Sequence, residues 1–336
     1  MINKTYIYMI NIPILFLSSM ISMSTNSMFY IWMSMEMNMM SFIPMLIMMN
    51  NFNKNSSIKY FLIQSISSMI IMMMFLMMMN SMNFYIKMLF FYIIMMMLLT
   101  KMGMPPIYMW MLQMMKHISW TNLIIMLIWQ KISPFYILSM MLNLNNINMT
   151  MMMMYSLLTL YLSLFMNLNQ MSMKLIMSLS SMNYMSWMLL IIMFNEILLM
   201  YFFSLYSIMS MYLMIMFMTF NINYLNQLNN MNINFIDKII MFSMIISMMT
   251  LPPTMGFLMK MLFMIKLTNF INLMMMSMMM INSSMMMFYY MRVYIHMFII
   301  NNLLKFNLMF KLKYKKFMLK MFNMFMIMMM MMFEYF

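Results

Sequence analysis

Apolar stretches of about 20 residues recur along almost the whole 336-residue chain, separated by short breaks that contain Asn or Lys. A helix of that length crosses the hydrocarbon core of a bilayer. No water satisfies backbone N–H and C=O groups at that depth, so only helices or a closed barrel can span it. Barrel strands would alternate polar with apolar residues, and the sequence shows no such alternation. The pattern predicts an all-α polytopic membrane protein.

The composition excludes several functional classes. Charged residues make up 7% of the chain, against roughly 25% in an ordinary soluble domain. Without cysteine, the chain has no thiolate-held iron-sulfur cluster and no disulfide. Its two histidines, His117 and His296, are too few for two bis-His haems or a haem-copper centre. We interpret the net charge of +14 as topogenic, lipid-facing charge, with no nucleic-acid partner.

We predict one integral membrane domain over residues 1–336, with about eleven spans of the length a bilayer requires. Residues 107–116 are a candidate for a further half-helix. The predicted spans cover residues 6–24, 27–49, 59–79, 86–108, 120–142, 149–167, 174–194, 197–219, 238–265, 273–299 and 317–334.

The lysines predict the orientation, because basic loops stay on the negative side of a membrane. If the N-terminus faces the matrix, most loop lysines fall on that side, whereas the loops near 25, 144–148 and 195 lack Lys. Lys87 and Lys266 are exceptions. The matrix-side set is Lys4, Lys54, Lys59, Lys116, Lys174, Lys238, Lys305, Lys311, Lys313, Lys315, Lys316 and Lys320.

The codon usage behind the sequence indicates a mitochondrial gene. Ala, Val, Gly, Asp and Glu, whose codons begin with G, total seven residues, whereas Met occurs 83 times. A coding strand that avoids G and reads ATA as Met, as animal mitochondria do, explains both observations. Most methionines therefore stand in for other apolar residues, and we do not interpret them as metal ligands.

Four ionisable residues lie deep within the predicted spans: Glu36, Lys101, Lys131 and Lys260. A charge at mid-membrane costs at least ~2.5–3.5 kcal/mol on insertion scales. A single buried lysine can snorkel to a headgroup or cap a helix end, but four such residues together favour a function. The span-end residues His117, Arg292, His296, Glu196, Asp237 and Glu334 are instead interpreted as interfacial or solvated.

Two of these lysines lie next to helix breakers. Lys101 precedes Met-Gly-Met-Pro-Pro at 102–106, and Lys260 follows Pro-Pro-Thr-Met-Gly at 252–256. These segments contain both glycines of the chain. Broken helices beside charged residues are typical of transporters with an ion path at mid-membrane. Because a nearby carboxylate changes the proton affinity of a buried amine, such residues can relay protons without a cofactor.

At these residues the chain resembles the chain 2 family of NADH:ubiquinone oxidoreductase, respiratory complex I. The Trp-Gln-Lys-x-x-Pro block at 129–134 and the Leu-Pro-Pro-x-x-Gly-Phe-x-x-Lys block at 251–260 are specific to that family. Supporting matches are Met35-Glu36-Met37-Asn38, residues 41–44, 57–64, Lys101-Met102-Gly103-Met104-Pro105 with Trp110, Ser119-Trp120, and Tyr289-Tyr290 with Arg292. The chain departs from the family at Tyr108 and at Leu112-Gln113-Met114, where the family usually has His and Pro-Glu-Val.

The resemblance implies an antiporter-like subunit fold with two broken helices, in the mitochondrial inner membrane, with the N-terminus in the matrix. It also implies a proton relay through Glu36, Lys101, Lys131 and Lys260. NADH, FMN, iron-sulfur clusters and ubiquinone would then bind to other subunits, with none in this chain. The implied partners are neighbouring membrane-arm subunits and inner-membrane lipids, including cardiolipin.

Two other hypotheses remain open on the sequence alone. A free-standing cation/proton antiporter would use the same four charges. A structural scaffold without a proton path predicts instead that the charges lie apart, each capped by backbone or facing lipid.

Overall fold

The computed structural model describes residues 2–49, 54–81, 83–144, 149–194, 196–230, 235–252, 254–267 and 273–298. Within these ranges the backbone is helical, apart from connecting turns and an isolated antiparallel bridge between Ser172 and Tyr224. The all-α prediction is therefore confirmed. The predicted span at 317–334, Glu334 and the tail lysines from Lys305 to Lys320 lie outside the described residues.

The described part of the chain forms thirteen α-helical segments. They are α1 (Ile2–Ser24), α2 (Met28–Met49), α3 (Lys54–Asn80), α4 (Phe84–Lys101), α5 (Met109–Met115), α6 (Trp120–Ile124), α7 (Gln130–Leu144), α8 (Met149–Asn167), α9 (Met173–Ile191), α10 (Glu196–Thr219), α11 (Phe235–Met249), α12 (Met255–Leu267) and α13 (Leu273–Phe298). A π-helical segment, Ile125–Trp129, joins α6 to α7, and a 3-10 turn, Leu225–Asn230, follows α10.

Among the described residues, four helices are long and apolar enough to cross a membrane by length and composition: Tyr6–Ser24, Asn55–Asn80, Trp120–Leu142 and Glu196–Thr219. The predicted count of eleven spans is therefore not confirmed. Apolar side chains such as Met9 and Met69 are 73% and 64% exposed, as expected of a surface that lipid covers. The chain is a membrane protein.

The two broken helices appear where the sequence predicts them. The predicted span 86–108 is helical only as far as Lys101, and α5 forms the candidate half-helix between residues 107 and 116. The predicted span 238–265 is divided into α11 and α12. Pro253, in the second break, lies outside the described residues.

The chain divides into two compact units, one ending at Thr159 and the next beginning at Leu160, both within α8. In the first unit α2 packs on α1 and α3, α3 packs on α4 and α5, and α7 contacts α1, α2 and α4. In the second unit α10 packs on α9, α11 and α12, while α13 contacts α11 and the 3-10 turn.

Helix α9 is the most deeply enclosed element of the second unit, although it is rich in serine. All its residues except Lys174 are buried. Its serine hydroxyls donate to carbonyls three residues earlier in the same helix, as Ser178 does to Leu175 at 2.9 Å and Ser180 to Met177 at 2.8 Å. Because each hydroxyl hydrogen finds an acceptor in its own helix, these serines are tolerated in an apolar interior.

Candidate functional site

Glu36 lies in α2 between buried neighbours, with Met35 at 5% and Asn38 at 3% exposure. The Glu36 side chain itself is partly exposed. It interacts electrostatically with the amine of Lys101 and with the buried phenol of Tyr60. The structure therefore brings the acid and the first lysine into one electrostatic environment.

Helix α4 ends at Lys101 in a tight turn that glycine makes possible. Gly103 has a φ of +77°, in the left-handed region that disfavours other residues. A Cβ there would also collide with the sulfur of Met111, in α5. The turn bonds three of the last four carbonyls of the helix: Met102 N–H donates to Leu98, Gly103 N–H to Thr100 and Met104 N–H to Leu99, at 2.9–3.1 Å.

Lys101 and Lys131 line the same cavity, which has a volume of about 30 Å³. A buried water needs roughly 10–15 Å³, so this cavity has room for about two waters. Lys131 is 2% exposed, and the Lys101 amine contacts the sulfur of Met35 at 3.6 Å. Polar side chains share the lining with apolar ones: Asn38, Tyr60, Gln64, Gln130 and Ser133.

Amide side chains connect the helices around this cavity. The Gln64 amide, from α3, donates to the carbonyl oxygen of Lys101 at 3.0 Å. The Gln130 amide donates to the Asn38 side chain at 2.9 Å, and the Tyr60 hydroxyl contacts the Gln130 oxygen at 3.4 Å. These polar groups keep the cavity wall hydrophilic and link α2, α3 and the first residue of α7.

The second break separates α11 from α12 by a turn around Thr250, whose φ of +59° is unusual for a β-branched residue. Thr254 lies just before α12, and its carbonyl accepts from the N–H groups of Phe257 and Leu258 at 3.1 Å. Gly256 is required because the backbone of Ser247 lies too close to leave room for a side chain. A Cβ there would collide with the carbonyl oxygen of Ser247 and lie 3.2 Å from Thr250 Cγ2.

Lys260 lies one turn beyond Gly256 and is 4% exposed. Its amine is 4.9 Å from the ring centre of Trp187 and 5.5 Å from that of Tyr184, both in α9, and 3.6 Å from the Met286 sulfur. A desolvated cation over aromatic faces gains about 2 kcal/mol or more. The second unit thus surrounds its lysine with aromatic rings and a thioether, whereas Lys101 interacts with a carboxylate.

Five other charged or titratable residues of the described ranges lie at or near helix ends. His117 is exposed just beyond α5, and His296 is half-buried in the last turn of α13. Arg292 donates to the Asn167 carbonyl at 3.0 Å, so it caps the end of α8. Glu196 and Asp237 lie in the first turns of α10 and α11, where a negative charge suits the helix dipole.

From the sequence, Gln64 and Gln130 are motif positions without a predicted role. The sequence also does not predict that Tyr184 and Trp187 lie beside Lys260. One signal for the amides was available, because a glutamine inside an apolar span needs a hydrogen-bond partner. No comparable signal marks an aromatic residue that faces a lysine, since 16% of the chain is aromatic.

The family described as NADH:quinone oxidoreductase/Mrp antiporter, transmembrane, matches residues 25–288. NADH-ubiquinone oxidoreductase chain 2 of Artemia franciscana is 33% identical over 127 residues, or 38% of this chain and 38% of that protein. The Aedes aegypti chain 2 is 53% identical over 129 residues, or 36% and 37% of the two chains. The matched segments thus span well under half of these relatives.

Solved structures share the fold at low sequence identity. A chain of respiratory complex I from Thermus thermophilus with bound aureothin has a TM-score of 0.78 and 14% identity, over 88% of this chain and 71% of that one. A chain of the Mrp complex from Dietzia sp. DQ12-45-1b has a TM-score of 0.76 and 12% identity, over 85% and 59%.

Proposed function

Because the chain belongs to the NADH:quinone oxidoreductase/Mrp antiporter transmembrane family, we propose that it is a proton-translocating membrane-arm subunit of NADH:ubiquinone oxidoreductase. The observation that carries the proposal is the placement of Lys101 and Lys131 on one small polar cavity, with Glu36 within electrostatic reach of Lys101. Two lysines that merely snorkelled or capped helix ends would not need to share a cavity.

The cavity supports proton transfer between the two amines. One or two waters in about 30 Å³ would connect the amines by hydrogen bonds. In this mechanism a change in the distance between Glu36 and Lys101 alters the proton affinity of the amine, because a carboxylate stabilises an ammonium. Lys101 then passes its proton to Lys131. Quinone reduction elsewhere in the complex supplies the free energy.

Lys260 is assigned the outward transfer step in the second unit. Its burial and its position just after a broken helix support the assignment. The aromatic rings of Trp187 and Tyr184 stabilise the ammonium that forms when Lys260 receives a proton. Lys260 therefore has a partner for its charged form without a carboxylate.

The wider assignment follows from the same proposal. The chain would lie in the mitochondrial inner membrane as one integral domain, with its N-terminus in the matrix. Neighbouring membrane-arm subunits and anionic lipids such as cardiolipin would surround it. NADH, FMN, iron-sulfur clusters and ubiquinone would bind to other subunits, so the oxidoreductase activity belongs to the complex.

Replacement of Lys131 tests the relay. Lys131→Met in the assembled complex should lower the number of protons moved per electron, because Met removes the amine and retains the length of the side chain. The matched control is Lys87→Met, since Lys87 is exposed in the first turn of α4. An unchanged proton-to-electron ratio in Lys131→Met rejects the relay.

A free-standing cation/proton antiporter is the second candidate, because the matched family also includes Mrp antiporters. The two candidates differ in the state of the native protein. Co-purification with an NADH-oxidising assembly supports the subunit, whereas a monodisperse chain that exchanges cations for protons in liposomes supports the antiporter.

A further inference from the structure

Each broken helix is followed by a Pro-Pro pair, which removes the usual backbone donors of two successive carbonyls; Lys101 and Met248 carry the first of each two. In an α-helix each carbonyl accepts from the N–H four residues later, and proline has no N–H. Pro105 follows Lys101 by four residues, and Pro252 follows Met248 by four. The carbonyls of Lys101 and Met248 therefore need donors from elsewhere, because an unpaired carbonyl inside the protein is costly.

A side chain from a neighbouring helix supplies the donor at the first break. The turn after α4 bonds the carbonyls of Leu98, Leu99 and Thr100 but leaves that of Lys101. The Gln64 amide fills this place, with its Nε2 3.0 Å from the Lys101 oxygen. Gln64 is 8% exposed and also lines the cavity that Lys101 shares with Lys131.

The second break repeats this arrangement with different chemistry. The Tyr184 hydroxyl, from α9, donates to the carbonyl oxygen of Met248 at 2.9 Å. The ring of the same tyrosine lies 5.5 Å from the amine of Lys260. Tyr184 thus holds the end of α11 through its oxygen and faces the relay lysine of α12 through its ring.

We infer that Gln64 and Tyr184 are positioning residues for the two broken-helix lysines, each through its hydrogen bond to the carbonyl that a proline leaves unpaired. The inference rests on the proposed function, because it assigns these residues to the proton relay. Without its cap, the carbonyl turns toward another donor and the adjoining peptide rotates. A displacement of about 1 Å at a transferring group lowers a rate about a hundredfold.

The test removes each donor with little change in side-chain volume. Gln64→Met and Tyr184→Phe eliminate the hydrogen bonds, and Phe keeps the ring that faces Lys260. Gln64→His retains an N–H donor at a similar distance from the backbone. The controls are Gln113→Met, at an exposed glutamine, and Tyr212→Phe, at a buried tyrosine whose hydroxyl bonds to no described residue. The readout is the number of protons that the assembled complex pumps per electron, which a change in assembly yield alone would not alter.

We expect the number of protons pumped per electron to fall in assembled Gln64→Met and Tyr184→Phe complexes, with substantial recovery in Gln64→His and no change in the controls. Failure of a donor-free variant to assemble would show a structural role and would overturn the inference for that residue. The inference is also overturned if the donor-free variants keep the wild-type ratio, or if Gln64→His has the same ratio as Gln64→Met. If Lys131→Met also leaves the ratio unchanged, the proposed function fails; if only Lys131→Met lowers it, the positioning role alone fails.

Discussion

The two broken helices require glycine for different reasons, and alanine substitutions at Gly103 and Gly256 distinguish these reasons. At Gly103 the obstacle is mainly conformational. A left-handed backbone costs a non-glycine residue about 1–2 kcal/mol. The colliding Met111 sulfur belongs to a flexible side chain, and a strained rotamer adds about 0.5–1.5 kcal/mol. We therefore expect Gly103→Ala to destabilise the protein by about 1.5–3.5 kcal/mol.

At Gly256 the obstacle to a side chain is a backbone atom of α11. The added methyl group would collide with the Ser247 carbonyl oxygen, which cannot move without shifting α11 relative to α12. Overpacking against movable side chains costs about 1–3 kcal/mol, so a collision with backbone should exceed about 3 kcal/mol. Gly256→Ala is therefore expected to be the more damaging variant, although its φ is unexceptional.

Thermal inactivation of the assembled complex measures this difference. Gly256→Ala should lower the inactivation temperature more than Gly103→Ala. In addition, Met111→Ala should partly rescue Gly103→Ala because it removes the colliding sulfur. Equal stability of the two glycine variants, or a Gly256→Ala complex as stable as wild type, would refute the close approach described for the second break.

Other contacts give further predictions. Trp187→Leu should lower the proton-to-electron ratio more than Trp187→Phe, because Phe keeps an aromatic face for the Lys260 ammonium; equal ratios would contradict a cation–π role. Gln113→Glu should raise the melting temperature at low salt but not at high salt, since its 2.7 Å contact with Lys59 becomes an exposed ion pair worth about 0.2–1 kcal/mol. Asn122→Leu should destabilise the complex by about 1–3 kcal/mol in thermal inactivation, because this buried amide bonds the Tyr8 hydroxyl and the Met45 carbonyl; unchanged stability would show that both groups find other partners.

The sequence predicts the helical class and both helix breaks well, because their causes are local. Apolar runs in a bilayer have to be helical, and the Gly and Pro residues beside Lys101 and Lys260 interrupt the hydrogen-bond ladder wherever they occur. Helix ends are less well determined. The third helix begins at Lys54, where hydropathy predicts residue 59, because a polar first turn does not prevent helix formation.

The neighbours of the lysines depend on tertiary packing, which the sequence does not reveal. Nothing in Ile125–Trp129 predicts a π-helical segment, yet it sets the register at which Gln130 and Lys131 face the cavity. Likewise, Gln64 precedes Lys101 by 37 residues and Tyr184 precedes Met248 by 64. The Pro residues predict that some donor is required, but only the packing of α3 and α9 identifies it.

The serines of α9 give that helix a chemical polarity without any formal charge. Since their hydrogens are engaged by carbonyls of the same helix, the hydroxyls offer only lone pairs to their surroundings. A water molecule beside α9 would therefore point its hydrogens toward the helix. These serine hydroxyls can therefore accept a hydrogen bond from a neighbouring group, but they have no hydrogen left to donate.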